Sequence, residues 1–179
     1  MNKKENIKIE KANRDNLYDI AAFLDKSWRA EYRKIISDDY LDEMKTEDRY
    51  QRLLRRFDDG RSDFLVMFSD KKMIGVSVFG KSFIDGYQND GEISAIYLES
   101  NYIGKGYGYL LFTKIEETMS EKNYEYFVLD VLTDNVRALE FYIKQGYEKV
   151  EDRSIKLGKN DYPLTVMRKK NIINSKTDN

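Results

Sequence analysis

Two segments of the sequence combine residue types that can do chemistry at a shared site. The first is a glycine-rich loop between an apolar run that predicts a strand and another that predicts a helix. Glycine permits positive φ angles and close approach of a ligand to the backbone, and a helix start offers N–H groups without intrahelical acceptors. These features predict an anion site suited to a pyrophosphate. The loop consists of Ile103, Gly104, Lys105, Gly106, Tyr107, Gly108 and Tyr109.

The glycine spacing in this loop excludes two common phosphate-binding motifs. A dinucleotide-binding G-x-G-x-x-G pattern that starts at Gly104 needs glycine at position 109, where the sequence has tyrosine. A P-loop with the same start needs Gly-Lys at the positions of Tyr109 and Leu110. The pattern that remains is x-x-x-Gly-x-Gly, which ends with Gly106 and Gly108. The alternative interpretation is a tight strand-to-helix turn that binds nothing.

The second segment, at positions 135–147, reads Asn-x-x-Ala-x-x-Phe-Tyr-x-x-x-Gly-Tyr. Asn135 and Tyr142 are seven residues apart, so in a helix they share one face at a separation of roughly 10 Å. An amide and a phenol in this arrangement can contact two parts of one extended ligand. The alternative is an ordinary amphipathic helix, with Asn135 near its N-cap and Tyr142 in the core.

Together the two segments resemble the GCN5-related N-acetyltransferase (GNAT) family over roughly residues 5–168. That family has an acyl-CoA loop of pattern Arg/Gln-x-x-Gly-x-Gly/Ala and a later helix of pattern Asn-x-x-Ala-x-x-Phe-Tyr-x-x-x-Gly-Phe. Ile103 stands where the family has Arg or Gln, and Tyr147 replaces the usual Phe. Ile103 removes a polar side chain near the phosphates but leaves the backbone donors, so we expect weaker CoA binding rather than its loss.

The resemblance implies acetyl-CoA as the acyl donor, bound in a gap between two splayed strands at residues 92–99 and 126–132. It implies that the pyrophosphate meets the N–H groups of the glycine loop, and that Asn135 and Tyr142 reach the pantetheine arm and the thioester sulfur. The second strand is apolar except for one aspartate, which predicts burial on both faces. The backbone groups expected to bind the arm and polarise the acetyl carbonyl belong to Ile96, Tyr97 and Leu98.

The expected reaction is direct transfer of acetyl to an amine in a ternary complex. Glu92 is the candidate proton acceptor, at a position where some family members carry a carboxylate; the alternative is a solvated charge at a strand start. Tyr142 is the candidate acid, acting through a strong hydrogen bond to the leaving thiolate or through a lowered pKa. Without cysteine the likeliest acyl-enzyme nucleophile is missing, which leaves Ser94 as the alternative.

The composition narrows the remaining classes of function. The 179 residues include no His and no Cys, which excludes His-based catalysis, thiolate metal sites and disulfides, and we expect no metal. Lys plus Arg (31) nearly balances Asp plus Glu (32), which argues against a nucleic-acid binder. No apolar stretch approaches the ~20 residues that span a bilayer, and the first residues are polar, so we expect a cytoplasmic protein without membrane contact.

The order of predicted elements is β-α-α-β-β-β-α-β-α-β-β, with Asp134 as the cap of the last helix. With the resemblance, this order predicts an α/β (α+β) fold: a twisted mixed sheet of about seven strands, flanked by about four helices, with splayed central strands. We expect one acetyltransferase domain at residues 1–168 and a polar tail at residues 169–179.

The acceptor is expected to be a primary amine of a small molecule, polyamine-like or other. By the resemblance, the early helices and the last hairpin line its pocket, where Trp28 and Tyr32 would form an aromatic wall and Glu31, Asp38 and Asp39 would attract a cation. A protein N-terminus or lysine, a non-catalytic acetyl-CoA-binding protein and another nucleotide-binding protein are the alternatives. Family members often form homodimers, and the residues that suit either an interface or the core are Tyr162, Leu164 and Val166.

Overall fold

The computed structural model describes residues 6–172, which form a seven-stranded sheet with helices on both faces. The strand order is β1-β2-β3-β4-β5-β7-β6, and every neighbouring pair is antiparallel except β4 and β5, which are parallel. The mixed sheet of the sequence prediction is thereby confirmed. The strands are β1 (Ile7–Lys11), β2 (Ser62–Ser69), β3 (Lys72–Lys81), β4 (Gly91–Leu98), β5 (Tyr126–Leu132), β6 (Glu148–Leu157) and β7 (Asn160–Lys170).

Within residues 6–172, five α-helices surround this sheet, one more than the predicted number. The additional helix arises because Met44 and Lys45 adopt extended backbone angles and divide the early helical region in two. No helix among residues 6–172 is long and apolar enough to cross a membrane. The helices are α1 (Leu17–Tyr32), α2 (Asp38–Glu43), α3 (Thr46–Asp58), α4 (Tyr107–Ser120) and α5 (Val136–Lys144).

The helices divide the core into two main layers because their apolar residues recur at helical spacing. On one face, α1 packs through Leu17, Ile20 and Leu24 onto β2 and β3. On the other face, α4 buries Leu111 and Ile115 in a cluster with residues of β4, β5 and β7. The parallel pair β4 and β5 therefore lies in the middle of the sheet, with helices above and below it.

The parallel pair separates after two residue positions. Gly91 pairs with Phe127 and Glu92 with Val128; beyond these pairs β4 continues along β3, and β5 continues along β7. The register of β3 against β4 shifts so that Ser94 is the extra residue of a β-bulge, a feature that bends and twists a strand. The predicted splay of the two central strands is confirmed, and it opens a gap that runs toward the start of α4.

Two local expectations need revision. The N-cap of α5 is Asn135 rather than Asp134, because the Asn135 side chain accepts a hydrogen bond from the N–H group of Ala138. Strand β7 continues to Lys170, past the predicted start of the tail at residue 169. The sequence predicts its first strand at residues 4–12; residues 4–5 of that range and residues 173–179 of the tail lie outside the described part of the chain.

The sequence leaves open whether the last strand contributes to the core or to an interface, and two of its three candidate residues belong to the core. Leu164 and Val166 are buried within the chain. The hydroxyl of Tyr162 accepts a hydrogen bond from the N–H group of Ser37 (2.9 Å), which attaches β7 to the segment before α2. These contacts hold the β6–β7 hairpin against the helices next to the gap.

Gly80 at the end of β3 is a position where we predict a large loss of stability on substitution. Its φ angle is +154°, and a Cβ atom there would lie 2.2 Å from the carbonyl oxygen of Arg61. Gly80→Ala should lower the free energy of unfolding, measured by urea denaturation, by at least about 2 kcal/mol. Gly60→Ala is the control, since Gly60 also has positive φ (+66°) but open space around it, and should cost about 1 kcal/mol. Equal losses in the two variants would contradict this explanation.

Candidate active site

A cavity of about 790 Å³ occupies the gap between β4 and β5. Its walls come from α1, the splayed half of β4, the glycine loop, β5, α5 and the β6–β7 hairpin. Six elements from early, middle and late parts of the sequence therefore meet around one space. The cavity is large enough for one extended ligand and part of a second, since ligand sites in proteins usually measure 300–1,000 Å³.

The glycine loop forms one end of this cavity. Gly104 and Gly106 have φ angles of +78° and +88°, and a Cβ atom at either position would meet no atom within 4 Å. Gly106 is the N-cap of α4, whose first helical hydrogen bond runs from the N–H of Leu110 to Gly106 O (3.1 Å). The helix therefore provides no acceptor for the N–H groups of Gly108 and Tyr109. An open backbone surface with these donors suits a phosphate group.

Most of the residues predicted for the site line this cavity. Among the residues predicted for catalysis, donor binding and the aromatic wall, those that do not line it are Glu92, Lys105 and Tyr107. The side chains of Lys105 and Tyr107 lie near the ring of Tyr102 instead, at 5.8 Å and 5.6 Å from its centroid. The predicted residues that line the cavity are Trp28, Tyr32, Ile96, Tyr97, Leu98, Ile103, Gly104, Gly106, Gly108, Tyr109, Asn135 and Tyr142.

Tyr142 lies on α5 with its ring among other aromatic rings. The ring centroids of Phe112 and Phe141 are 6.1 Å and 5.5 Å away. Burial in this apolar environment raises the pKa of Tyr142 well above its ordinary value. The alternative of a lowered pKa for this phenol is therefore wrong. The phenol keeps its proton at neutral pH and is available as a hydrogen-bond donor.

A chain of hydrogen bonds joins three walls of the cavity. The hydroxyls of Tyr32 on α1 and Tyr97 on β4 are 2.9 Å apart, and the Asn135 side chain also bonds to Tyr32. Burial raises the pKa of both tyrosines, although the hydrogen bonds from Tyr97 and Asn135 partly lower that of Tyr32. Asn135 also caps α5 through Ala138. Residues predicted for the donor side and the acceptor side thus form one network.

Glu92 is buried beside the cavity rather than solvated at a strand start. Its carboxylate accepts hydrogen bonds from the Ser82 hydroxyl, the Phe83 N–H group and the Ser94 hydroxyl. Ser94 lines the cavity, and its oxygen also accepts a hydrogen bond from Arg56 (2.7 Å). Glu92 can therefore exchange a proton with a ligand in the cavity through the Ser94 hydroxyl, or directly after a local rearrangement.

Asp130 is a cavity residue that the sequence analysis did not single out. It lies on β5 with its side chain exposed to the cavity, although much of its surroundings is protein. Partial loss of hydration, and then the negative charge of Glu92, raise the pKa of Asp130 to about 6, against a smaller opposing effect of Arg153. The sequence signal that could have identified Asp130 is its position as the single charged residue of an apolar strand. The expected burial of both faces of β5 does not hold at this position.

The acidic residues expected to attract a cation are engaged or remote. Glu31 lines the cavity and forms an ion pair with Arg137 of α5. Asp38 pairs with Arg33, and neither Asp38 nor Asp39 lines the cavity. Among residues 6–172, no group of three or more His, Cys, Asp or Glu side chains is placed to hold a metal ion.

A parallel strand pair that opens beside a glycine loop and a helix N-terminus leaves a free strand edge next to a surface that suits a phosphate group. Comparison with known protein families identifies the family to which this site belongs. The sequence profile of the acetyltransferase (GNAT) family matches residues 22–147. The chain belongs to the GNAT acetyltransferase family. No curated protein matches it in sequence.

Solved structures share this fold over nearly the whole chain. The PaiA N-acetyltransferase of Thermoplasma acidophilum in complex with coenzyme A is 26% identical, with a TM-score of 0.73 over 92% of this chain and 99% of that chain. The ribosomal-protein-alanine N-acetyltransferase of Brucella melitensis is 22% identical, with a TM-score of 0.71 over 91% and 99%. YncA of Salmonella typhimurium with acetyl-CoA is 19% identical, with a TM-score of 0.71 over 93% and 94%.

Proposed function

We propose that the chain transfers an acetyl group from acetyl-CoA to a primary amine of a small molecule. The observation that carries this proposal is the single cavity, which joins the glycine loop, the splayed edge of β4, Tyr142 and Asp130. A donor and an acceptor can therefore meet in one space. The likeness to a structure of a 26% identical N-acetyltransferase with coenzyme A supports the identity of the donor.

The donor half of the site consists mainly of backbone. The open surface at Gly104 and Gly106 and the N–H groups at the start of α4 suit the pyrophosphate. The pantetheine arm fits beside Ile96, Tyr97 and Leu98, because the β4 edge there has no β5 partner. Ile103 lines the cavity with an apolar side chain, so the phosphates depend on backbone donors at this position.

Two carboxylates are candidates for the group that accepts the amine proton. An alkylammonium has a pKa near ~10.4, so about one molecule in 10³ is neutral at pH 7.4, and the proton needs an acceptor. We assign this role to Asp130, because its carboxylate lines the cavity and its pKa of about 6 leaves it charged at neutral pH yet more basic than an ordinary aspartate. Glu92, linked to the cavity through Ser94, is the second candidate.

In the transfer itself, the neutral amine nitrogen forms a bond to the acetyl carbonyl carbon, and the bond from that carbon to sulfur breaks. The ammonium proton that Asp130 accepts beforehand passes to solvent, so the nitrogen loses its second proton to the same, freed carboxylate, and the sulfur leaves as a thiolate. The Tyr142 phenol stabilises the thiolate by donating a hydrogen bond, since its raised pKa opposes full proton transfer. Both Asp130 and Tyr142 line the cavity in which these events take place.

Binding of the donor is tested by the melting temperature of the protein with acetyl-CoA, with ATP and NAD as controls. At a concentration about 100 times Kd, a ligand stabilises the folded state by about 2.7 kcal/mol. For a chain of this size the expected rise is roughly 5–10 °C with acetyl-CoA alone. A shift with ATP or NAD and none with acetyl-CoA would contradict the proposal and favour another nucleotide-binding function.

Tyr142→Phe should lower kcat by about 10²–10⁴-fold, because the leaving thiolate loses its hydrogen bond. The rise in melting temperature with acetyl-CoA should stay nearly unchanged, since the aromatic ring remains. Tyr147→Phe is the matched control: the Tyr147 hydroxyl bonds to Glu116, outside the cavity, and kcat should stay within threefold. A drop in kcat of less than threefold in Tyr142→Phe would refute its role as acid.

The pH dependence of kcat/KM separates the two carboxylates. Because the acceptor must be ionised, kcat/KM should rise with pH through about 6, the pKa of Asp130. Asp130→Asn should remove this rise and lower kcat/KM at pH 7 by roughly 10²-fold. Glu92→Gln removes a neighbouring negative charge, so the rise should persist and move to lower pH. If Glu92→Gln instead abolishes the rise while Asp130→Asn retains it, Glu92 is the acceptor.

A further inference from the structure

The acceptor end of the cavity carries an apolar surface that the donor does not need. We name it the acceptor wall; it consists of Trp28, Tyr32, Leu132, Ile155, Leu157 and Leu164. Its residues come from α1, β5 and the β6–β7 hairpin, on the side of the sheet where α1 and α2 pack. Asp130 and Leu132 are two residues apart on β5, so they face this same side of the sheet.

The aromatic residues of the acceptor wall are not arranged to bind a cation. The guanidinium of Arg49 lies 5.3 Å from the centre of the Trp28 ring, so a positive charge already occupies one face of the indole. The Tyr32 ring packs against Trp28 at 5.0 Å, edge to face. The Tyr32 hydroxyl is engaged by Tyr97 and Asn135. Both residues therefore present apolar surface, rather than a cage for an ammonium group.

The carboxylates along the cavity leave one anion for the acceptor. Glu31 is paired with Arg137, and Glu99, near the glycine loop, is paired with Lys72 and Lys26. Glu140 also lines the cavity, but it lies on the exposed surface of α5, an element that contributes no residue to the acceptor wall. Asp130 forms no ion pair within residues 6–172, and the charged groups that affect its pKa are Glu92 and Arg153. A polyamine would carry further ammonium groups past the acceptor wall, where the wall offers no carboxylate to meet them.

We infer that the acceptor is a monoamine whose nitrogen is joined by a short linker to an apolar or aromatic group. This inference rests on the proposed function and narrows it to a substrate class. The ammonium meets Asp130, which also receives its proton before transfer, and the apolar group packs on Ile155, Leu157 and Trp28. An amino acid does not fit equally well, because its carboxylate would lie next to Asp130 and its neighbour Glu92.

The test compares acetyl transfer by the full chain to 2-phenylethylamine, isopentylamine, spermidine and an alanine-initiated peptide. Release of the CoA thiol is measured at saturating acetyl-CoA, which is straightforward because the protein contains no cysteine. We expect kcat/KM for the two apolar monoamines to exceed that for spermidine and for the peptide at least tenfold. Equal or higher kcat/KM for spermidine or the peptide overturns the inference but leaves acetyl transfer to amines intact.

Ile155→Glu adds a carboxylate to the acceptor wall, in addition to Asp130 in the same cavity, and should reduce the preference for phenylethylamine over spermidine at least tenfold. Val150→Glu is the matched control, since Val150 is an exposed residue of the same strand outside the cavity, and its preference should be unchanged. An unchanged preference in a folded Ile155→Glu variant overturns the inference. If that variant does not fold, the comparison of amines by the wild-type chain decides.

Binding of the amines is measured separately from acetyl transfer, so that the preference for one amine can be detected even if none is acetylated. With CoA present, 2-phenylethylamine should raise the melting temperature of the wild-type protein more than spermidine does at equal concentration. If it does so but no amine is acetylated, the proposed catalytic function fails while the acceptor class stands. If spermidine gives the larger rise, the inference is overturned whatever the catalytic result.

Discussion

The functional cavity depends on how β4 and β5 are held together at one end and apart at the other. At the closed end, Arg168 of β7 donates two hydrogen bonds to the buried Asp90 and stacks on Tyr126 at 3.7 Å. Gly91 follows directly, where a Cβ atom would lie 2.6 Å from Met119 and Tyr124. This close packing fixes the start of both strands. Beyond it the bulge at Ser94 turns β4 away, and the strand edge becomes available to a ligand.

Partial loss of hydration in this gap shifts the pKa values of two acids of very different strength in the same direction. Partial loss of hydration disfavours the charged form of a carboxylic acid and of a phenol, so it raises the pKa of Asp130 and of Tyr142 together. For Asp130 the result, about 6, still lies below neutral pH, so the group is charged and more basic. For Tyr142 the result is a phenol that remains protonated. One environment thereby supports a proton acceptor and a hydrogen-bond donor in the same cavity.

The donor half of the site could be predicted from the sequence because local motifs encode it. The positive φ angles of Gly104 and Gly106, the helix start and the Asn135–Tyr142 spacing all depend on neighbours in the chain. The role of Asp130 could not be predicted in the same way. Its exposure depends on the separation of β5 from β4, and its pKa depends on Glu92, 38 positions earlier in the sequence. The burial of Glu92 likewise depends on the loop after β3, which supplies Ser82 and Phe83.

The acceptor half shows why residue type alone misleads about specificity. In the sequence alone, a cation site is suggested by Trp28, Tyr32 and Glu31. In the folded chain, each of these side chains already has a partner. Arg49 stacks on Trp28, Tyr97 and Asn135 bond to Tyr32, and Arg137 pairs with Glu31. These partners come from α3, β4 and α5, so only the folded chain brings them together. Once they are satisfied internally, these side chains present a mostly apolar surface at the acceptor wall, and the carboxylate beside that wall on β5 is Asp130.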